Sequence, residues 1–131
     1  MSFSQEEIDF IKAQPLARIA TVDDDGQPDV VAVGFQYDGA YFNIGGIQPA
    51  NTRRHRNVLA GHDKVALVID DLAPGQEWNP RFLRVYGTAE VIGEDHPYLR
   101  ITPTISWSTN LAGDALVGNP ESVSFKRTVH Q

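Results

Sequence analysis

From Leu16 to Trp107 the chain is cut into short apolar runs, each closed by a turn signal, and this spacing leaves room for strands rather than long helices. Leu16 to Val22 is rich in β-branched residues. Asp23-Asp-Asp-Gly-Gln-Pro28 follows, with Asp25-Gly26 the strongest hairpin signal in the chain, and Asp29 to Phe35 returns. The run Val30-Val-Ala-Val33 predicts that this return strand is buried on both faces. Tyr37-Asp-Gly-Ala40 reads as a second turn and Ala40 to Ile44 as a third strand. Lys64 to Asp70 holds Val65-Ala-Leu-Val-Ile69, apolar throughout, and Asp71 to Pro80 is a loop. Arg81 to Ile92 returns as a long strand with a bulge at Gly87. Tyr98 to Trp107 alternates, which puts Leu99, Ile101, Pro103, Ile105 and Trp107 on one face and Arg100, Thr102, Thr104 and Ser106 on the other. Pro103 places that strand at an edge, at a bulge, or where its nitrogen has no partner. Ser122 to Lys126 reads as a last strand.

Only two helices are predicted, both short. Ser4-Gln-Glu-Glu7 is a capping box, Phe3 and Ile8 can staple it, and Pro15 ends the helix soon after Ala13. The second helix starts at Asn51 or Thr52 and stops at Gly61. Six or seven strands with so little helix indicate a mainly β fold, a barrel or closed antiparallel sheet. With 131 residues, no repeat and no linker, residues 1–131 form one domain.

The second helix is unusual in its charges. Arg53, Arg54 and Arg56 crowd its first turns, where the helix dipole already disfavours cations. Forked guanidinium groups beside free backbone N–H groups suit a phosphate; the competing reading is ion pairs with nearby carboxylates. The background is acidic, with a formal net charge of −6, which argues against nucleic acid or an anionic membrane as partner and makes the cluster a local device for a small anion. No run is apolar enough to span a membrane, and the acidic start is unlike a signal peptide, so a cytoplasmic location is expected.

Conventional catalytic sets are missing. There is no cysteine, hence no disulfide and no thiolate chemistry. His55, His62, His96 and His130 have no metal-ligand spacing, and Asp23 to Asp25 fit a surface turn better than a cation loop, so no metal is expected. Nucleophile elbow and phosphate-binding loop motifs are absent, and Gly45-Gly46 does not complete a dinucleotide fingerprint. Trp78 and Trp107 read as core or interface residues. A barrel with a phosphate-like site and no acid–base set suits a cofactor that carries its own chemistry, such as a flavin-type ring.

Several segments, in order and spacing, resemble the pyridoxamine 5′-phosphate oxidase-like split β-barrel proteins, and within them the actinobacterial flavin/deazaflavin oxidoreductases that use coenzyme F420. They are the opening helix, Ala17-Arg-Ile-Ala-Thr-Val22, Asp25-Gly26-x-Pro28, Thr52-Arg-Arg-His-Arg-Asn-Val58, Val65 to Ile69, Arg84-Val-Tyr-Gly-Thr-Ala-Glu90 and Arg100-Ile-Thr-Pro-Thr-Ile-Ser-Trp107. The resemblance implies a split β-barrel homodimer with a cofactor in each of two grooves between subunits. It implies that Thr52, Arg53 and Arg54 hold the cofactor phosphate with Arg56 and Asn57 as neighbours. The ring would lie along Val31, Ala32, Val33 and Asn43, and Trp107 would close the groove from the partner chain. The function implied is hydride transfer between F420 and a small conjugated organic substrate. The alternatives are an FMN-dependent oxidase or reductase, or a cofactor-binding protein without turnover. FMN-using members carry an arginine in the second strand, where this chain has Val30-Val-Ala-Val33; the departure favours the deazaflavin. Thr104 and Ser108 stand where the resemblance leads one to expect arginine and glycine.

Overall fold

The structure, a computed structural model, describes residues 3–75, 78–114 and 124–131. Helix α1 (Gln5–Ala13) is capped as its sequence demands. Ser4 Oγ accepts from the Glu7 amide at 3.2 Å, and Glu7 Oε1 accepts from the Ser4 amide at 2.9 Å. Eight strands follow: β1 (Leu16–Val22), β2 (Pro28–Gly34), β3 (Gln36–Tyr37), β4 (Phe42–Ile44), β5 (Lys64–Leu72), β6 (Pro80–Ile92), β7 (Tyr98–Thr109) and β8 (Lys126–Val129). A 3₁₀ turn (Pro49–Asn51) and helix α2 (Arg53–Leu59) interrupt them between β4 and β5. No helix among the described residues is long and apolar enough to cross a membrane.

The strands form one antiparallel sheet in the order β2-β1-β5-β6-β7-β4-β3, with β8 added beside β7. Its two outermost strands, β2 and β3, are consecutive in the chain, and only Phe35 separates them. The sheet therefore curls until one crossing of the backbone joins its two edges, and the result is a split barrel. The concave side holds the core. Phe42, Ile19, Ile44, Leu67, Ile69, Leu83 and Ile101 are all essentially inaccessible, and Phe3, Phe10 and Ile11 plug the barrel from the N-terminal segment. At the other end of the chain the ring of His130 lies 4.4 Å from that of Phe3.

Two expectations from the hydrophobic pattern are overturned. First, β2 is not buried on both faces. Among the described residues it pairs only with β1, and Val30 is 68% and Val31 38% exposed while, within the strand, Val33 alone is buried. An apolar run reports burial only if something covers both faces, and β2 is an edge strand. Second, the apolar positions of β7 do not share one face. Tyr86 pairs with Ile105 but Gly87 pairs with Pro103, so Thr104 is an extra residue and the side-chain alternation changes phase there. Leu99, Ile101 and Pro103 point inward before the bulge, and Ser106 and Ser108 after it. Ile105 and Trp107 are thereby turned to the outer side. Gly87 is required opposite the bulge, because a Cβ there would lie 2.6 Å from the Thr102 carbonyl oxygen. Pro103 sits between the stretch of β7 that pairs with β4 and the stretch that pairs with β8. As for the last strand, Ser122 and residue 123 lie outside the described residues, and the described strand is Lys126–Val129.

The registers align an apolar row across the convex side: Val30, Ala20, Ala66, Tyr86, Ile105 and Val129. The neighbouring row alternates apolar and basic residues: Ala32, Arg18, Val68, Arg84, Trp107 and Arg127. In it the Arg84 guanidinium stacks 4.4 Å from the Trp107 ring centre.

Candidate functional site

A cleft opens at the split. Ala32 to Gly34 at the end of β2, and Phe35 and Gln36 at the crossing, form one wall. Asn43 of β4, the Gly45–Gly46 turn, Arg54 of α2 and Tyr98 of β7 form the other. Its volume is about 750 Å³, within the range of small-molecule and cofactor sites.

The cleft is lined by polar groups in need of partners. The edge of β2 away from β1 pairs with no strand among the described residues, so alternate peptide N–H and C=O groups there are unpaired. Asn43 Nδ2 donates to Asp38 Oδ2 at 3.0 Å, while Asn43 Oδ1 has no partner among the described residues. Asp38 in turn accepts the Ala40 and Tyr41 amides of its own turn, at 2.9 and 2.8 Å. The hydrogen bond from Asn43, helped by these two, holds the Asp38 carboxyl below its ordinary range.

Arg54 is the charged group of the cleft. Thr52 caps α2, accepting from the His55 amide at 3.2 Å, and so sets the direction in which the first helical turn projects Arg54. Arg54 Nη2 donates to the Gly45 carbonyl at 3.1 Å. Gly46 makes room for it: its backbone is left-handed at φ 126°, and a Cβ there would lie 3.1 Å from Nη2. Burial holds the Arg54 guanidinium below the ordinary arginine pKa, with Asp29 pulling it back at longer range. None of Arg53, Arg54 and Arg56 forms an ion pair among the described residues. The ion-pair reading of the cluster therefore has no support, and a desolvated cation without a counter-ion is what an anion site requires.

Of the ten residues singled out in the sequence, Ala32, Val33, Asn43 and Arg54 meet at the cleft. Val31 is next to it on the exposed edge strand. Thr52 acts as the helix cap, and Arg53 and Arg56 are exposed on α2. Asn57 is turned away: it is buried, and its Nδ2 donates to Thr21 Oγ1 at 2.9 Å, pinning α2 to β1. Trp107 stands on the convex side against Arg84 and Tyr86 rather than in the wall of this chain's cleft. The sequence reading missed Gly34, Phe35, Gln36, Gly45, Gly46 and Tyr98 as lining residues. The Gly45-Gly46 doublet was the available signal, since a bare backbone beside a basic helix start is how a chain lets a ligand approach closely.

Residues 3–131 match the family described as pyridoxamine 5′-phosphate oxidase. The 5a,11a-dehydrotetracycline/5a,11a-dehydrooxytetracycline reductase of Streptomyces rimosus subsp. rimosus is 33% identical over 129 residues, covering 90% of each chain. Among solved structures, a conserved hypothetical protein from Mycobacterium tuberculosis superposes with a TM-score of 0.70 at 18% identity, over 92% of this chain and 95% of its own. An F420 reductase superposes with a TM-score of 0.56 at 22% identity, over 71% and 90%. At these identities the two structures speak for the fold.

Proposed function

The chain belongs to the pyridoxamine 5′-phosphate oxidase family, and from that membership and the cleft we propose that it is an oxidoreductase that binds coenzyme F420 and passes hydride between it and a small conjugated organic substrate. The observation that carries this reading is Arg54, a half-buried guanidinium in a cleft of cofactor size with no carboxylate paired to it among the described residues. The residues present fit the group. Arg54, with the exposed Arg53 beside it in sequence, would take the phosphate, and Gly46 leaves space next to Arg54. The free edge of β2 and the unpartnered Asn43 Oδ1 would satisfy the amide-like rim of the ring system. The deazaflavin supplies the hydride chemistry when bound; the protein's part is to orient it and to exclude water. The relative named as a reductase supports an oxidoreductase, and β2, which carries no arginine beside the cleft, supports the deazaflavin over FMN.

We further infer that two copies pack across the convex face, which would bring Trp107 and the apolar row beside it against the partner's cleft mouth. Apolar side chains aligned across six strands, exposed at Val30, Tyr86 and Val129 and half-buried between them, are the support for this assembly.

Absorbance of the protein after gel filtration with F420 or with FMN separates the two cofactors. Fluorescence titration then tests the arginine: Arg54→Ala is expected to weaken F420 by about ten- to a hundredfold, the worth of a charge-assisted contact, while the cofactor-free protein melts as before. Equal affinities in wild type and variant would refute the site. Tight binding with no turnover on a panel of enones and quinones would make the protein a carrier.

A further inference from the structure

A carboxylate stands behind the cleft on the side of Arg54. Asn57 is three residues further along α2, on the same side of the helix, and its bond to Thr21 Oγ1 lays that side of α2 against β1. Thr21 pairs with Asp29 of β2. Residues directly opposite in an antiparallel pair send their side chains to one face of the sheet. Asp29 is therefore on the face of Thr21, which is the face that α2 covers. Val31 and Val33, two and four residues on, continue that face to the cleft wall. The field of the Asp29 carboxylate reaches the Arg54 guanidinium, yet the two groups do not close on each other. Asp29 enters no ion pair and no side-chain hydrogen bond among the described residues, because its strand is held in register by β1 along its whole length. A carboxylate at this distance weakens the hold of Arg54 on every anion, and it does so unequally.

We propose that Asp29 sets the charge of the anion that the cleft accepts: it admits a phosphodiester, with one negative charge, and cancels the advantage that a phosphomonoester would draw from its second. The proposal rests on the reading of Arg54 as the phosphate holder. Coulomb energy is proportional to the charge of the ligand, so a dianion facing Arg54 alone gains twice what a monoanion gains. Asp29 repels in the same proportion and takes back twice as much from the dianion. Arg53 and Arg56 are exposed on α2, where solvent and salt screen them, so the half-buried pair of Arg54 and Asp29 governs the discrimination. A terminal phosphate carries its second charge above a pH of about 6, whereas a phosphate bridged on both sides never acquires one. Arg54 thus supplies affinity for a phosphate, and Asp29 selects how that phosphate is esterified. The same distinction separates the two cofactors weighed above, since FMN ends in a phosphomonoester and the phosphate of F420 is bridged.

The test uses two fluorescent probes that share one ring, 5-deazariboflavin 5′-phosphate and its 4′,5′-cyclic phosphodiester, titrated into the cofactor-free protein at pH 8 and low salt. Wild type is expected to bind the monoester no more tightly than the diester. Asp29→Asn keeps the shape and removes the charge; it should gain about tenfold for the monoester and about threefold for the diester, so that the preference turns to the monoester. Asp29→Ser should shift the ratio in the same direction. Asp25→Ser removes an equal charge from an exposed place in the turn between β1 and β2, and should leave the ratio where it was. A ratio unmoved by Asp29→Asn overturns the proposal. So does an equal shift in Asp25→Ser, which would assign the effect to net charge. If Arg54→Ala weakens both probes while Asp29→Asn leaves their ratio alone, the phosphate site stands and the selector falls. If wild type binds neither probe, both fall.

Discussion

Asp71 is the residue where most of the chain's separate parts are tied. Its two oxygens accept from Arg81 Nε at 2.6 Å and Nη2 at 2.8 Å, and the second also accepts from Gln14 Nε2 at 2.7 Å. Arg81 in turn lies over the Phe10 ring and donates to the Leu111 carbonyl. One carboxylate thus holds the end of α1, two strands and the loop after β7. The hydrogen bonds from Arg81 hold the Asp71 carboxyl below its ordinary range, against the opposing effect of burial. A lowered pKa in the folded state means stability that is present above the unfolded value of about 4 and lost as pH falls through the folded value. Asp71→Asn should therefore cost about 1.5–3 kcal/mol at neutral pH, and the gap between wild type and variant should narrow as pH falls below about 4. Urea melts at pH 7 and pH 3 check it; a gap that stays the same at both would assign the loss to packing instead. The residue scale also shows what the sequence conceals. Arg54 could be picked out because its charge contradicts its place in a helix, whereas Asn57 could not be told from a ligand: only the fold puts Thr21 within its reach.

Strand β7 is where the reading of elements fails most instructively. The bounds of β1 are legible to the residue, and α1 and α2 carry their caps in plain view. In β7 the alternation is equally regular, yet it changes face at Thr104; Pro103 in that strand is compatible with a bulge but equally with an edge, so it does not mark one alone. The mark is on the partner strand, at Gly87, and the pairing that connects the two is a property of the sheet. Gly87→Ala would press a methyl group onto the Thr102 carbonyl and the Ile101 side chain. The expected cost is about 1–3 kcal/mol, that of overpacking a close backbone approach. Because Trp107 packs edge-on against Tyr86 just beyond the bulge, tryptophan emission should shift with the melting temperature. Loss of stability with unchanged emission would show that the bulge itself survives. Tyr98 was illegible as a site residue for the same reason, because it reaches the Gly45–Gly46 turn only once β4 has paired with β7.

At the scale of the whole molecule, the unbalanced feature is the convex face. Ala66 lies near the middle of its apolar row and is half-buried, so a charge there should not disturb the core. Ala66→Glu is expected to convert a dimer to a monomer in sedimentation at micromolar concentration, and to lower F420 affinity if the cleft is completed by the partner. A monomeric wild type with full cofactor binding would remove the assembly from the proposal.

The single residue between β2 and β3 turns the sheet into a hoop fastened by its own thread rather than by hydrogen bonds. The clasp, at Phe35, is also the wall of the cleft, so the width of the opening is set by the length of a covalent link. Since the rings of Phe3 and His130 touch, the ends of the chain can be joined and the hoop cut elsewhere. On the proposed F420 reading, a circular permutant cut at Asp24, in the surface turn before β2, keeps the clasp and should match the parent in cofactor binding. A permutant cut at Phe35 keeps every strand pair but lets the hoop spring open, and it should fold while losing the cofactor. The same fluorescence titration reads both, and equal binding would mean that the gauge of the cleft is held by the strands and not by the thread.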